Sequence, residues 1–465
     1  MSASNDAPVR GVTDSNGAGP TSGRLDEPLP TRFLPRLSRY HFAIAVALIL
    51  AVYALEAHAR REFNPTPASQ GDQGAYLAYA RLMHDSDYAY VGLRNRMPVY
   101  PFLLSLIYDP GLTEAQFLAR AQALNVNLSI LLLLLLAFVF RNRFSPALAL
   151  ALLAATAFGV FLYRAPLAQT ELLYYCISFG GFLLLLQLLI APRWWLAILG
   201  GVVVGLGHLT KASVLPGLAI WSVIFLAQIF WNKVPARSVW RRLLILLLVL
   251  GTFLAVVFPY IRTSKQLHGE YFYNVNSTFV MWCDSSEEGW RFLNSQMNNN
   301  TAALFTPDQI PSAGRYWREH SVAQIGGRLA RGLGHLVTQK AMATGYYKFV
   351  ILFVLTLAVL ALRHWRRVVR SLAERPFAAA FCFLFCFGYL LLFAWYEAII
   401  SDTRFILSIF LPCVYSGAIL IRALAGDGSV AVGARRFSTV QLFAAWLFSL
   451  TLIDVAYNGF RALRG

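Results

Sequence analysis

At 465 residues, 57% hydrophobic and 14% charged, the chain is too apolar for a soluble globule. The formal net charge of +17 does not mark a nucleic-acid binder, because the basic residues gather at the ends of apolar runs. Five cysteines exclude a disulfide framework: Cys176, Cys382, Cys386 and Cys413 fall within apolar runs and only Cys283 lies in a polar segment.

In chain order, residues 1–39 form a polar tail rich in Gly, Ser, Asn, Pro and Asp, expected to be disordered and cytoplasmic. No cleavable signal of normal length precedes the first apolar run, 41–58, so that run is expected to be retained. Further runs follow at 119–140, 146–162, 172–190, 194–209, 212–231, 243–260, 346–362, 376–396, 405–424 and 438–456. They are continuous rather than alternating, and they are read as helices crossing roughly 30 Å of hydrocarbon. The expected fold class is an all-α polytopic membrane protein with about eleven transmembrane helices. An N-terminal transmembrane module (40–260) and a C-terminal one (346–465) flank a large loop at 261–345.

Alternate short loops carry the basic residues. Arg141 and Arg143 come first, then Lys233, Arg237, Arg241 and Arg242. Arg363, Arg366, Arg367, Arg370 and Arg375 follow, and Arg422, Arg435 and Arg436 close the series. The positive-inside rule then places the N-terminus in the cytoplasm and the segments 59–118 and 261–345 outside. Gly-rich nucleotide loops are absent, which directs attention to the outer leaflet rather than to cytosolic nucleotides.

Within 59–118, Tyr76, Leu77, Tyr79, Ala80, Leu82 and Met83 recur at helical spacing, predicting an amphipathic helix lying on the membrane surface. A second short apolar helix is predicted over 98–108, and another interfacial helix over 316–339. The stretch 268–300, rich in Tyr, Asn, Trp and Ser, supports no assignment.

Charged residues near span ends are the candidates for chemistry. Asp72, after Gly71 and before a helix, suits a general base acting on a hydroxyl; its plainer role is an N-cap. Arg94 and Arg96 either meet lipid headgroups or hold a phosphate, for which the guanidinium fork is shaped. Lys211 sits between two spans with almost no loop, a place where a charge usually faces water or a charged ligand. Arg164 and Glu171 flank another tight turn and either pair with each other or serve a ligand. Arg404 opens a span just after Asp402, with a surface pairing between them as the plain alternative. The histidines show no metal-ligand spacing.

These residues resemble those of the C-type (GT-C) superfamily of membrane glycosyltransferases over roughly 40–425. The likeness is to bacterial enzymes that use polyprenyl-phosphate sugars: protein mannosyltransferases and lipid A aminoarabinose and galacturonic acid transferases. It rests on Asp72 with Tyr76, on Arg96-Met97-Pro98-Val99-Tyr100-Pro101, and on Gln169-Thr170-Glu171. Leu209-Thr210-Lys211, Arg315-Tyr316-Trp317-Arg318-Glu319-His320 and Arg404-Phe405 add to it.

The resemblance implies that Asp72 activates an acceptor hydroxyl while Arg96, Lys211 and Arg404 hold the departing lipid phosphate. Tyr76, Arg94, Arg164 and Glu171 complete the substrate-binding candidates. The implied donor is a polyprenyl-phosphate sugar, the acceptor a glycolipid, polysaccharide or protein of the cell envelope, and the setting a bacterial inner membrane with the site facing outside. No cofactor is required by the sequence, and a divalent metal has no support in it. Relatives often carry Asp-Glu where this chain has Asp72-Gln73, and the lipid A transferases carry Glu-Lys-Pro-Pro where it has Asn95-Arg96-Met97-Pro98. An envelope polysaccharide polymerase or ligase, a lipid or solute transporter, and a non-catalytic scaffold subunit are the alternative readings.

Overall fold

Apolar runs become helices here because a backbone removed from water can satisfy its N–H and C=O groups within one segment only as a helix. The computed structural model describes residues 39–464 apart from 64, 91, 93, 232–235, 298–305, 341–345, 427 and 433–434. The tail expected over 1–39 lies outside the described residues except for residue 39, as does Lys233.

Helix α1 is Arg39–Phe63, followed by two short helices, α2 (Gln73–Asp85) and α3 (Val99–Ser105). Then come α4 (Glu114–Arg143), α5 (Pro146–Gly159), α6 (Glu171–Ile190), α7 (Trp194–Thr210), α8 (Leu215–Trp231) and α9 (Ala236–His268). The segment left unassigned from sequence holds α10 (Val275–Thr278) and α11 (Ser286–Met297). Beyond it lie α12 (Ala313–Glu319), α13 (Val322–His335), α14 (Tyr347–Arg363), α15 (Trp365–Glu374), α16 (Pro376–Tyr396), α17 (Thr403–Leu407) and α18 (Phe410–Ala425). A two-stranded hairpin, β1 (Ser429–Val432) with β2 (Arg435–Ser438), precedes α19 (Thr439–Arg464).

Each of the eleven apolar runs is helical. Among the described residues, eight helical segments are long and apolar enough to cross a membrane, or nine counting α14 with α15, which is bent from it by 100°. The runs at 194–209 and 405–424 fall short. The first gives α7, of 17 residues, and the second breaks at Ser408 and Ile409 into α17 and α18. Outward-facing Leu131, Leu134, Leu135 and Phe138 of α4 stay exposed, as lipid contact permits.

Close helix contact depends on small residues. Gly201 and Gly205 of α7, four apart, face α9, and a Cβ at Gly201 would lie 2.6 Å from the Val249 carbonyl oxygen. The interior beside them is aromatic, with Phe182 stacked on Phe381 at 5.4 Å and Trp221 fully buried.

Two expectations change in detail. Helix α2 forms, but Tyr76, Leu77 and Ala80 bury themselves with Tyr100, Leu104 and Phe117 of α3 and α4 instead of lying on a membrane surface. The helix expected over 316–339 breaks after Glu319, because Ser321 caps α13 with a capping box through Gln324, and a π-helical turn (Leu336–Lys340) follows α13.

The helices define two ends. Asp72, Arg164, Glu171, Lys211 and Arg404 share one, tied by ion pairs. At the other, Arg422 donates to the Arg143 carbonyl at 2.7 Å and Arg143 reaches Gln187 at 3.2 Å.

Candidate functional site

Asp72 occupies the N-cap position of α2 (φ −97°, ψ 5°), yet its side chain makes no capping bond. Its carboxylate is committed elsewhere. Arg96 Nη2 donates to Oδ1 at 2.5 Å and Arg404 Nη1 to Oδ2 at 2.5 Å. Gly71 makes this turn possible. Its φ of +66° suits glycine, and a Cβ there would lie 2.3 Å from Gln169 Nε2, so the turn before Asp72 is seated against Gln169.

Glu171 opens α6 with a side chain 2% exposed, and Oε1 lies 3.5 Å from both Lys211 Nζ and Arg404 Nη1. Lys211 stands at the corner between α7 and α8, where its backbone leaves the helix in an extended conformation (φ −157°) and ends the span. Its ammonium sits over the rings of Tyr174 and Phe405, 5.6 and 5.5 Å away. Asp402 caps α17 through the Arg404 N–H at 2.9 Å, and its carboxylate also meets Arg404 Nε at 3.2 Å and Arg164 Nη2 at 3.3 Å. Tyr175 fixes the segment by donating to the Arg404 carbonyl at 2.7 Å.

Seven charges from five chain segments thus gather at one place. Arg96, Arg164, Lys211 and Arg404 exceed Asp72, Glu171 and Asp402 by one positive charge. Burial alone would raise the Asp72 carboxyl, but the Arg96 and Arg404 guanidiniums outweigh it and hold the group below its ordinary range. For Arg404, desolvation works against the charge, and the surrounding acids Glu171, Asp72 and Asp402 overcome it, so it stays firmly protonated. Desolvation dominates at Lys211 and pulls its ammonium below lysine's usual range, with Glu171 opposing. Glu171 Oε2 is buried without a hydrogen-bond partner among the described residues, as is Gln169 Oε1.

Five of the eight candidates therefore meet directly, Arg164 joins them through Asp402, and the partners are not those the sequence offered first. Arg164 pairs with Asp402 rather than Glu171. Tyr76 lies beneath the cluster, with the Arg96 guanidinium 5.8 Å from its ring centre and Tyr100 edge-on at 5.3 Å. Arg94 points away. It is fully buried, lies 3.7 Å from the Tyr260 ring centre, and donates to Thr263 Oγ1 at 2.6 Å and to the Tyr260 carbonyl at 3.3 Å, clamping the first loop onto α9.

Gln73 is structural as well. Its Oε1 accepts from Ala168 N–H at 2.8 Å and Gln122 Nε2 at 3.1 Å, and its Nε2 donates to the Pro67 carbonyl at 2.9 Å. An amide fills this place where an acid would lack a donor for Pro67. Among the described residues no three His, Cys, Asp or Glu side chains gather as a metal site requires.

Sequence reasoning treated Asp402 only as a surface partner and passed over Tyr175, Asn274 and Asn276. Asn274 Nδ2 donates to the Arg94 carbonyl at 2.9 Å and Asn276 Nδ2 to the Asn95 carbonyl at 3.2 Å, so the second loop holds the first in place. Their only signal was the concentration of Asn in a stretch with no periodicity.

No family model matches the chain, and no curated protein matches it. Among solved structures, the apo crystal structure of the Archaeoglobus fulgidus oligosaccharyltransferase aligns with 16% identity and a TM-score of 0.37. The alignment covers 88% of this chain and 56% of that one, so this chain spans little more than half its length. A likeness of that size carries no functional weight.

Proposed function

We propose that this chain is an inverting glycosyltransferase that moves a sugar from a polyprenyl-phosphate donor to an acceptor hydroxyl. The supporting observation is a carboxylate at a loop–helix junction, held between two arginines inside a cluster with one surplus positive charge. Such a cluster suits an anionic ligand, and the apolar helices around it suit a lipid tail.

The donor phosphate competes with Asp72 for Arg96 and Arg404. As those guanidiniums turn to phosphate oxygens, the Asp72 carboxylate regains its basicity and accepts a hydrogen bond from the acceptor hydroxyl. The acceptor oxygen then bonds to the anomeric carbon as the bond from that carbon to the phosphate oxygen breaks. The hydroxyl proton passes to Asp72, and the polyprenyl phosphate leaves with the bonding electrons. General-base help is worth about 10²–10⁴-fold, and Arg96, Lys211 and Arg404 stabilise charge growing on the leaving phosphate.

The arginine-rich end opposite the cluster belongs in the cytoplasm by the positive-inside rule, which faces the site outward in a bacterial inner membrane. Sugar transfer by the purified protein, assayed with a panel of polyprenyl-phosphate sugars and an envelope extract as acceptor, tests the reading. Turnover that survives unchanged in folded Asp72→Asn protein would overturn it.

A further inference from the structure

A cavity of about 250 Å³ opens at the end of the bundle opposite the ion cluster. Ala191, Pro192, Arg193, Ser238, Arg241 and Arg242 line it, where the α6–α7 turn meets the start of α9. Half of these residues are arginines and none is acidic. Among the described residues none of the three arginines has an ion-pair partner, and Nη1 of Arg242 is buried without a hydrogen bond. Three guanidiniums without an ion-pair partner around one small cavity raise the local positive potential and favour an anion there.

The backbone adds to this potential. Helices α7 and α9 both begin here, and their N-terminal ends carry partial positive charge. Arg193 occupies the N-cap of α7, which puts its guanidinium beside the N-terminal end of that helix.

The surroundings select the kind of anion. Trp194, Trp195 and Trp240 adjoin the lining residues in the chain and are 63%, 46% and 73% exposed, the residue type that favours a membrane interface. At the same end, α15 turns 100° from α14 with Trp365 and Val369 exposed beside Arg366, Arg367 and Arg370. A helix so turned lies in the plane of the interface. The volume falls below the roughly 300–1,000 Å³ of sites for drug-sized ligands and suits a single headgroup.

We propose that this cavity is a phosphate site filled by the headgroup of an anionic membrane lipid in the leaflet opposite the ion cluster. It is separate from the donor site, and its Ser238 hydroxyl supplies a neutral donor beside the three guanidiniums.

The test uses the full chain in nanodiscs of phosphatidylcholine containing a minor share of phosphatidylglycerol, with retained lipid counted by native mass spectrometry. Wild type is expected to hold phosphatidylglycerol, and Arg241→Gln/Arg242→Gln to lose about tenfold in affinity, the size of one charge-assisted hydrogen bond. Arg370→Gln, on the exposed face of α15, is expected to retain the lipid as wild type does. Equal retention in wild type and the double variant, or equal loss in Arg370→Gln, overturns the proposal. Should the double variant fail to fold in phosphatidylcholine alone, Arg193→Gln, in the turn, carries the same expectation. Inorganic phosphate bound by the wild type and not displaced by phosphatidylglycerol would assign the cavity to a soluble phosphate and overturn the lipid assignment.

Discussion

Arg404 Nη1 donates to Oδ2 of Asp72 across 332 positions of the chain, while the same nitrogen lies 3.5 Å from Glu171. One guanidinium on α17 therefore serves acids on α2 and α6, and the first loop is bound to the last third of the chain through it.

Removing that guanidinium should be expensive. In Arg404→Ala, Asp72, Glu171 and Asp402 all lose a cation, and stability is expected to fall by about 2–4 kcal/mol, somewhat below the roughly 3–5 seen when a fully buried pair is broken. Arg404→Lys keeps the charge and loses the fork, so it should recover part of the deficit. Thermal unfolding in a neutral detergent measures both. An unchanged midpoint in Arg404→Ala would show the contacts to be energetically idle.

Asp72→Asn keeps an oxygen for one arginine and, under the proposed mechanism, loses the base. Turnover is expected to drop by about 10²–10⁴-fold, with donor binding retained or tightened because an acid that competes for Arg96 and Arg404 is gone. Initial rates and equilibrium binding of a polyprenyl phosphate separate the two effects.

The depressed Asp72 carboxyl sets a pH dependence. A group whose acidity is strengthened on folding contributes stability above its unfolded value, near 3.8, and loses that contribution as pH falls through its lower folded value. The difference in unfolding midpoint between wild type and Asp72→Asn should be flat above about pH 5 and shrink below about pH 4. A difference that grows on acidification has the wrong sign for an arginine-bound carboxylate.

Gly71→Ala adds a methyl where Gln169 Nε2 already lies and at a positive φ, so a loss of about 1–2 kcal/mol is expected. Combining it with Gln169→Ala relieves the overlap but not the backbone strain. The double variant should then lose less stability than the sum of the singles. Strict additivity would place the two residues out of contact.

Arg94→Met tests the division of labour between neighbouring arginines. It removes the stack on Tyr260 and the bond to Thr263, and so should lower the unfolding midpoint while leaving the donor KM unchanged. Arg96→Ala should do the reverse: raise KM with a smaller change in stability. Matching profiles for the two would contradict their different surroundings.

The helices were legible because continuous apolar runs leave the chain no other way to satisfy its backbone. The candidate cluster was legible in part, because charges placed where Lys211 and Arg404 are placed must find partners or water. Its pairings were not legible. Nothing local tells Arg164 to choose Asp402, 238 positions away, over Glu171, seven away. Arg94 and Arg96 read alike in sequence and differ only because the left-handed backbone at Arg94 (φ 60°) turns its side chain toward α9. The inward face of α2 was misjudged for a related reason: an amphipathic helix reports that it has an apolar side, not whether lipid or protein covers it.

The order in which a ribosome delivers these segments gives Arg404 one more consequence. Asp72, Arg96, Arg164, Glu171 and Lys211 are all made before α17 exists, and they carry two acids against three bases. Asp402 and Arg404 arrive together and leave that balance unchanged, while supplying the contacts that join the earlier pieces. A nascent chain halted before residue 402 would hold each ingredient of the first loop without the bolt that locks it. The charge cluster is thus joined only once α17 has been made.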